Sequence, residues 1–448
     1  MPRLPERVRR LVDHFGFNPA FAHSLLTGYG LMATTVIIQL VLVPLYLSHL
    51  GKAKFGTLAM ILAINNYAAI GITWLSGGMA RVLAERAARG EVSGFRAAYA
   101  FSKIIYLSYA MVALVIFWII APWLLADALA DYETRFAIIL SCIYFLLSYE
   151  YNADRQAFIA RHLQYRGNLR EAAGQIVFAC IVIVGLLTGM GLPGVVVGQI
   201  AGIVVTRILA WYHWRRDGYE LGWTWPIENA KALWSRVVGS TGRHYIVYGI
   251  LLLTLQADVI LIGWLGNTET AANYYLVWRI PEIVILLLWR IPGSYAPYLI
   301  ALDSRGEFQQ LTASYRKGLI SIGAMAGLAA LVYGLLGSWI LNLWIGPDAP
   351  QASFAYLLAA VAMFFLASAR WPSEIAYSLL NTAALVKIAA LETVAKLMLI
   401  FMLFGRFDYQ APLLAISIVH AFGVFYLYLW LGKNSCDYVR LSAQRPVT

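Results

Sequence analysis

The stretch VWRIPEIVILLLWRIP, residues 277–292, is apolar enough for a membrane helix, yet it contains Arg279 and Arg290. Each arginine belongs to a Trp-Arg-Ile-Pro repeat. In a helix, their spacing places both side chains on one face, about 16 Å apart along the axis. An arginine at the centre of a bilayer costs between ~3 and ~17 kcal/mol. This face is therefore expected to meet water, acidic partners or a ligand rather than lipid.

The composition indicates an integral membrane protein. Of 448 residues, 61% are hydrophobic and 13% are charged, and the mean hydropathy is +0.69. A soluble chain of this length would expose too much apolar surface. The three cysteines form no disulfide framework, and the seven histidines have no metal-ligand spacing. Because the sequence also has no P-loop motif, we expect no metal, no cofactor and no enzyme activity.

Hydropathy divides the chain into twelve apolar runs, most of them long enough to span a bilayer. With the N-terminus in the cytoplasm, 24 of the 34 lysines and arginines fall in cytoplasmic segments and 4 on the other side. This asymmetry places both termini in the cytoplasm, and it explains the net charge of +11 without nucleic acid. The runs are roughly 24–47, 57–77, 98–125, 136–153, 171–190, 193–212, 244–265, 271–300, 318–343, 353–379, 383–404 and 410–431.

The longest polar connection divides the runs into two lobes of six helices each. Residues 24–212 form the predicted N-lobe and residues 244–431 the predicted C-lobe, joined by a cytoplasmic loop at 213–243. A cytoplasmic or interfacial segment, 1–23, precedes them, and a cytoplasmic tail, 432–448, follows.

Short sequence matches indicate that the two lobes are an internal repeat. Leu-Gly pairs at 50–51 and 265–266 follow the first run of each lobe, 215 residues apart. Arg-Phe-Ala at 135–137 and Ser-Phe-Ala at 353–355 open the fourth run of each lobe, 218 residues apart. A nearly constant offset favours a repeat. Since both halves begin in the cytoplasm, their symmetry axis runs along the membrane normal, an arrangement found in transporters.

Several stretches resemble the polysaccharide transporter family, the Wzx-type flippases for lipid-linked oligosaccharides such as O-antigen units. They are HLGKAKFGTLAM (49–60), GGMARVLAE (77–85), LQADVILIGWLG (255–266) and AANYYLVWRIPEI (271–283). That family belongs to a superfamily that includes multidrug and toxin extruders and the peptidoglycan-lipid flippase. The resemblance implies an all-α polytopic protein with about twelve transmembrane helices in two pseudo-symmetric lobes around a central cavity. It also implies alternating access, an undecaprenyl-pyrophosphate-linked substrate and the bacterial inner membrane.

Three cations inside the apolar runs have an acid one helical turn away in sequence. Such spacings bring side chains together on a helix, and an ion pair is the usual way to keep a charge in lipid. Structural pairing is therefore the alternative to a role in substrate binding. The pairs are Arg279–Glu282, Arg370–Glu374 and Lys396–Glu392.

The other cations in the runs have no such neighbour. Lys103 and Arg207 lie near cytoplasmic ends, where they are expected to extend towards the head groups. Arg290 has no acid within a turn, so a substrate phosphate or a salt bridge to another helix is expected to satisfy it. With Arg279, it would form a ladder for phosphate.

Asp258 also has no local partner. It lies at a predicted depth of ~11 Å from the outer boundary, and Arg279 on the next helix lies at ~12 Å. We therefore predict a cluster of Asp258, Arg279 and Glu282. The cluster would be either a static bridge or a switch operated by protonation or a cation.

Three further sets of residues complete the candidate site. Residues 21–84 contain no Asp or Glu, which favours an anionic ligand over the cations of a drug exporter. Neutral polar and aromatic side chains could bind sugar, although paired asparagines more often join helices. Prolines permit helix kinks. The predicted substrate-binding residues are Arg290, Arg279, Arg370, Lys396, Asn65, Asn66 and Tyr275; the ion-coupling or gating residues are Asp258, Glu282, Glu374 and Glu392; the hinges are Pro281, Pro292 and Pro372.

These observations predict a flippase that moves an undecaprenyl-pyrophosphate-linked oligosaccharide across the inner membrane, its phosphates bound by cationic side chains. The alternatives are a cation-coupled multidrug exporter of the same fold, and a membrane-embedded glycosyltransferase or ligase. The short, sparsely charged outer loops argue against the enzyme. The expected partners are the lipid-linked substrate, membrane lipids, a coupling ion (H⁺ or Na⁺) and polysaccharide-assembly proteins, with the protein itself a monomer.

Overall fold

A computed structural model shows an almost entirely helical chain. It describes residues 19–218, 221, 230–235, 237, 257–379 and 382–443. No strand occurs among these residues, and they contain nine helical segments long and apolar enough to cross a membrane. The predicted interfacial segment, most of the loop 213–243 and most of the seventh run lie outside the described residues. The chain divides into two compact units: residues 1–54 with 68–242, and residues 55–67 with 243–448.

The first unit contains seven helices with described bounds, one of which continues into the second unit, and residues 230–235 are also helical. The fourth apolar run is divided between two of them, α4 and α5, which meet at Tyr151. The helices are α1 (Pro19–Ala88), α2 (Val92–Leu124), α3 (Ala126–Ala130), α4 (Tyr132–Glu150), α5 (Asn152–Ala160), α6 (Gln164–Leu187) and α7 (Gly191–Arg216).

Helix α1 contains the first two apolar runs and changes direction at Gly51. This residue has φ 76° and ψ 167°, so the helix is interrupted there. A positive φ favours glycine because it has no Cβ. Residues 55–67 after the break pack in the second unit, where Gly56 lies so close to Thr268 that an added Cβ would be 1.7 Å from its carbonyl oxygen. The first Leu-Gly pair therefore marks a junction between two helical segments.

The second unit repeats this plan with long helices and short connections. Residues 257–265 are helical, and the second Leu-Gly pair lies at the bend that follows them. The helices are α8 (Thr268–Ser304), α9 (Phe308–Ile345), α10 (Ser353–Ser378), α11 (Thr382–Phe407), α12 (Ala411–Val419) and α13 (Phe425–Ala443), with a π-helix, His420–Val424, between α12 and α13.

Helix α9 has one face that suits contact with lipid tails. Its large apolar side chains Ile320, Leu328, Leu331 and Leu335 are exposed and recur at helical spacing. Its opposite face packs on α10, where Gly318 accommodates the Trp371 ring. The helix thus separates a lipid-facing surface from the interior of the second unit.

Helices α6 and α7 approach closely because small residues line their contact. A Cβ added to Gly174 would lie 2.0 Å from Thr206 Oγ1 and 2.6 Å from the Gly202 carbonyl oxygen. Small residues allow such approaches between membrane helices, where packing rather than the hydrophobic effect drives association.

We expect Gly174→Ala to destabilise the first unit by about 1–3 kcal/mol, because the added methyl group forces the backbones apart. The matched control is Gly323→Ala in α9, where an added Cβ meets nothing within 4 Å and improves helix propensity. The midpoint of unfolding in SDS, followed by far-UV circular dichroism of the purified protein, would measure both. Equal midpoints for the two variants would contradict this account of the α6–α7 contact.

Candidate functional site

The centre of the candidate site is a buried ion pair in the second unit. Lys396 Nζ on α11 lies 2.7 Å from Asp258 Oδ1, and both side chains are only 1% exposed. The Tyr274 hydroxyl on α8 donates a hydrogen bond of 2.8 Å to Asp258 Oδ2. Three helical segments therefore contribute to one neutral cluster. The attraction between its opposite charges offsets the free-energy cost of removing them from water.

A second carboxylate lies one turn earlier on α11. Glu392 is buried and accepts a hydrogen bond of 2.8 Å from the Tyr428 hydroxyl. Its other oxygen lies 3.0 Å from His420 Nε2, and the His420 ring stacks on Phe365 at 6.0 Å. His420 is the first residue of the π-helix. Such irregular turns often occur at functional sites because they redirect a side chain.

Helix α10 adds a third buried pair. Arg370 Nη2 donates to Glu374 Oε2 at 2.6 Å, and both side chains are buried. The guanidinium also lies 5.3 Å from the centre of the Trp289 ring, a cation–π contact that stabilises a cation away from water. The predicted pairing at i,i+4 is confirmed.

Arg279 is likewise paired within its own helix. Its Nη1 donates to Glu282 Oε2 at 2.7 Å, which confirms the predicted i,i+3 pair. The guanidinium lies 5.4 Å from the centre of the Tyr275 ring, and that ring meets Phe55 edge-on at 5.5 Å. Tyr275 thus supports a cation and packs on an aromatic neighbour in the second unit.

One predicted pairing is wrong, because Asp258 contacts Lys396 and Tyr274 instead of Arg279. The predicted neighbours Lys396 and Glu392 each have a close partner on another element: Lys396 forms an ion pair with Asp258, and the Glu392 oxygens face His420 and Tyr428. The physical reason is that Arg279 has an acid on its own helix, whereas the long lysine side chain reaches across to Asp258.

The remaining predicted residues do not join this group into one site. Arg290 is exposed, so the two arginines of α8 differ in environment, and Arg279 is already neutralised by Glu282. Both observations argue against the predicted phosphate ladder of Arg279 and Arg290. On α1, Asn65 is half-buried and Asn66 exposed.

The three predicted hinge prolines are all buried within continuous helices. Two lie in α8 and one in α10, so none of them ends its helix. Their role as hinges remains a prediction. They are Pro281, Pro292 and Pro372.

The first unit contains a carboxylate cluster that the sequence analysis missed. Glu150 lies 2.8 Å from Lys103 Nζ through Oε1 and pairs with Arg207 through Oε2. One turn later, buried Asp154 accepts hydrogen bonds from Tyr99 at 2.8 Å and from the Trp214 indole at 2.9 Å.

The prediction that Lys103 and Arg207 extend to the head groups is therefore wrong. Both cations point to Glu150, because a buried carboxylate gives a better partner than the membrane surface. The available signal was the pair Glu150 and Asp154, four residues apart at the end of an apolar run and flanked by tyrosines.

Proton or ion exchange is chemistry that these buried acids and bases could perform. Within the described ranges, no group of three or more His, Cys, Asp or Glu side chains could hold a metal ion. Ionisable residues buried at membrane depth are costly and commonly mark ion pathways. Helix α11 carries both Glu392 and, one turn later, Lys396, which pairs with Asp258. The two buried carboxylates are therefore linked through one helix.

Comparisons with known proteins identify the fold. No protein-family model and no curated protein matches the sequence. An inward-facing multidrug resistance MATE family transporter of the MOP superfamily matches with a TM-score of 0.71 at 12% identity, covering 92% of this chain and 96% of that one.

Two further solved structures agree. A MOP superfamily transporter from Pyrococcus furiosus, described as having a binding pocket of reverse polarity, matches with a TM-score of 0.63 at 11% identity, over 98% of this chain and 99% of that one. The Vibrio cholerae MATE transporter VcmN matches with a TM-score of 0.62 at 12% identity, over 94% and 97%. The chain therefore has the all-α, multi-pass fold of MATE transporters in the MOP superfamily, which confirms the predicted fold class.

Proposed function

We propose that the protein is an ion-coupled transporter that works by alternating access. The observation that carries this proposal is the buried charge group of the second unit, in which Asp258, Lys396, Glu392 and His420 lie inside apolar helices. A soluble or purely structural membrane bundle gains little from burying so many ionisable groups. The likeness of fold to transporters over more than nine-tenths of the chain supports the same proposal.

A proton is the coupling ion that this chemistry favours. Chains of His, Asp and Glu side chains form proton relays in membrane transporters, and His420 Nε2 lies 3.0 Å from the Glu392 carboxylate. Protonation of this pair would change the attraction between α11 and the π-helix. Because the sequence has no P-loop motif, we propose a proton gradient as the energy source, with Glu392 and Asp258 as coupling residues.

For the substrate, the first candidate is an amphipathic drug-like molecule, exported across the membrane. The solved structures of like fold include multidrug resistance transporters. The pairing of Arg279, Arg370 and Lys396 with acids also leaves the interior of the second unit nearly neutral. Such an interior suits apolar and weakly charged molecules better than a pyrophosphate.

The second candidate is a lipid-linked oligosaccharide of the kind that the sequence resemblance implies. The acid-free stretch 21–84 favours it, since a carrier for organic cations benefits from unpaired carboxylates. The guanidinium of Arg290 is exposed and remains the proposed phosphate ligand. In this case the protein would be a flippase of the bacterial inner membrane.

Proteoliposomes with a pH gradient separate these candidates in one experiment. We expect the purified protein to move at least one of two probes, a fluorescent organic cation or a fluorescent polyprenyl-pyrophosphate oligosaccharide, faster than protein-free vesicles do. Transport that needs the pH gradient supports proton coupling, whereas transport driven by a Na⁺ gradient alone contradicts it. Movement of neither probe, in vesicles that contain folded protein, would contradict both substrate candidates.

A further inference from the structure

A cavity of about 410 Å³ opens on the second unit. It lies between the C-terminal half of α8 and the N-terminal half of α9. Tyr295, Tyr298 and Trp371 form its aromatic wall. The Tyr295 ring centre is 4.9 Å from that of Tyr298 and 5.7 Å from that of Trp371. Cavities of this size bind small molecules or lipid head groups.

The aromatic wall is held in place by the fold. Trp371 is buried, and its indole nitrogen donates a hydrogen bond of 2.9 Å to the Tyr315 carbonyl oxygen. Gly318 makes room for the ring, since a Cβ there would lie 2.0 Å from two atoms of the indole. Trp371 is therefore a fixed side of the cavity, against which the exposed ring of Tyr295 packs, and the exposed ring of Tyr298 packs against Tyr295.

Among the described residues that line the cavity, Lys317 carries the charged side chain. The side chain is exposed, and no carboxylate of the described residues lies within ion-pair distance. Gln310, Ser314 and Ser321 supply neutral hydrogen-bonding groups beside it. A single unneutralised ammonium among hydroxyl, amide and aromatic groups is complementary to an anion that carries polar substituents.

The position of Lys317 identifies that anion as a lipid. Leu328 and Leu335 follow it by 11 and 18 residues, spacings that return an α-helix to within about 20° of the same direction. Lys317 thus lies at the end of the exposed apolar face of α9. Lysine at the end of an apolar helix face suits the phosphate level of a bilayer, and apolar tails can extend along the face above it.

We propose that this cavity binds the head group of an anionic phospholipid. The phosphate contacts Lys317, a polyol or sugar substituent lies against the aromatic wall, and the acyl chains follow the apolar face of α9. This site is separate from the proposed coupling residues and does not depend on which substrate the protein moves.

Native mass spectrometry of the full-length protein in detergent tests the proposal with phosphatidylglycerol and phosphatidylcholine as probes. We expect the wild type to retain phosphatidylglycerol preferentially and Lys317→Gln to weaken that binding about fivefold, the effect of one basic residue near an anionic lipid. Arg316→Gln is the matched control. It removes the same charge from the adjacent exposed position, which does not line the cavity, and should change little.

A second variant tests the aromatic wall independently of charge. Tyr298→Leu leaves a smaller apolar side chain without the ring and hydroxyl, and we expect it to weaken phosphatidylglycerol binding several-fold. Equal losses in Lys317→Gln and Arg316→Gln would overturn the proposal, because they would indicate diffuse attraction. Equal retention of phosphatidylcholine would also overturn it. Displacement of the lipid by inorganic phosphate at an equal concentration would reassign the site to a free anion.

Discussion

Replacement of Lys396 by methionine should destabilise the second unit by about 3–5 kcal/mol. Methionine keeps the length of the side chain but removes its ammonium, so Asp258 loses the cation that lies 2.7 Å from its carboxylate. Among the described residues, the Tyr274 hydroxyl would remain as its hydrogen-bond donor. A carboxylate that is 1% exposed has no water to replace the lost partner. The midpoint of unfolding in SDS should fall accordingly.

Two comparisons isolate the ion pair from the loss of a lysine. Lys387→Met removes an exposed lysine from the same helix and should leave the midpoint almost unchanged. The double variant Asp258→Asn with Lys396→Met removes both charges, and it should be more stable than Lys396→Met alone because no charge remains unpaired. A double variant as unstable as the sum of the two single variants would contradict a direct pair between Asp258 and Lys396.

The order of the helices could be predicted because a long apolar run that crosses a bilayer must satisfy its backbone hydrogen bonds internally, as a helix does. Runs eight to eleven correspond closely to α8 through α11. The sequence could not show that the first two runs join as one helix broken at Gly51. Nor could it show the π-helix at His420, because hydropathy does not report the hydrogen-bond register of the backbone.

The sequence likewise predicted some ion pairs and missed others. Helical spacing alone predicts Arg279–Glu282 and Arg370–Glu374, which are present, but it did not predict that Lys396 forms its ion pair with Asp258. Pairs between helices depend on rotation about the helix axes, which the sequence leaves undetermined. Matching of predicted depths placed Asp258 beside Arg279. Its partner is instead Lys396, which lies on a helix distant in sequence.

Glu392→Gln should strongly reduce gradient-driven transport while leaving substrate exchange largely intact. Glutamine keeps the size of the side chain and can still accept hydrogen bonds, but it neither carries charge nor releases a proton. If the Glu392–His420 pair is the coupling site, uphill transport should fall about 5- to 150-fold, the range of a coupling free energy of ~1–3 kcal/mol. Measurement of uphill uptake and equilibrium exchange in the same proteoliposomes separates coupling from substrate binding.

The matched control is Glu269→Gln, at an exposed acid in the first turn of α8, which should retain both activities. His420→Asn is the second test, because it removes the imidazole beside Glu392 while Glu392 keeps its hydrogen bond from Tyr428. If protons act through this pair, His420→Asn should flatten the pH dependence of uphill transport. Equal loss of exchange and uphill transport in a folded Glu392→Gln protein would instead make Glu392 a structural or substrate-binding residue, and Asp258 would then be the remaining candidate for coupling.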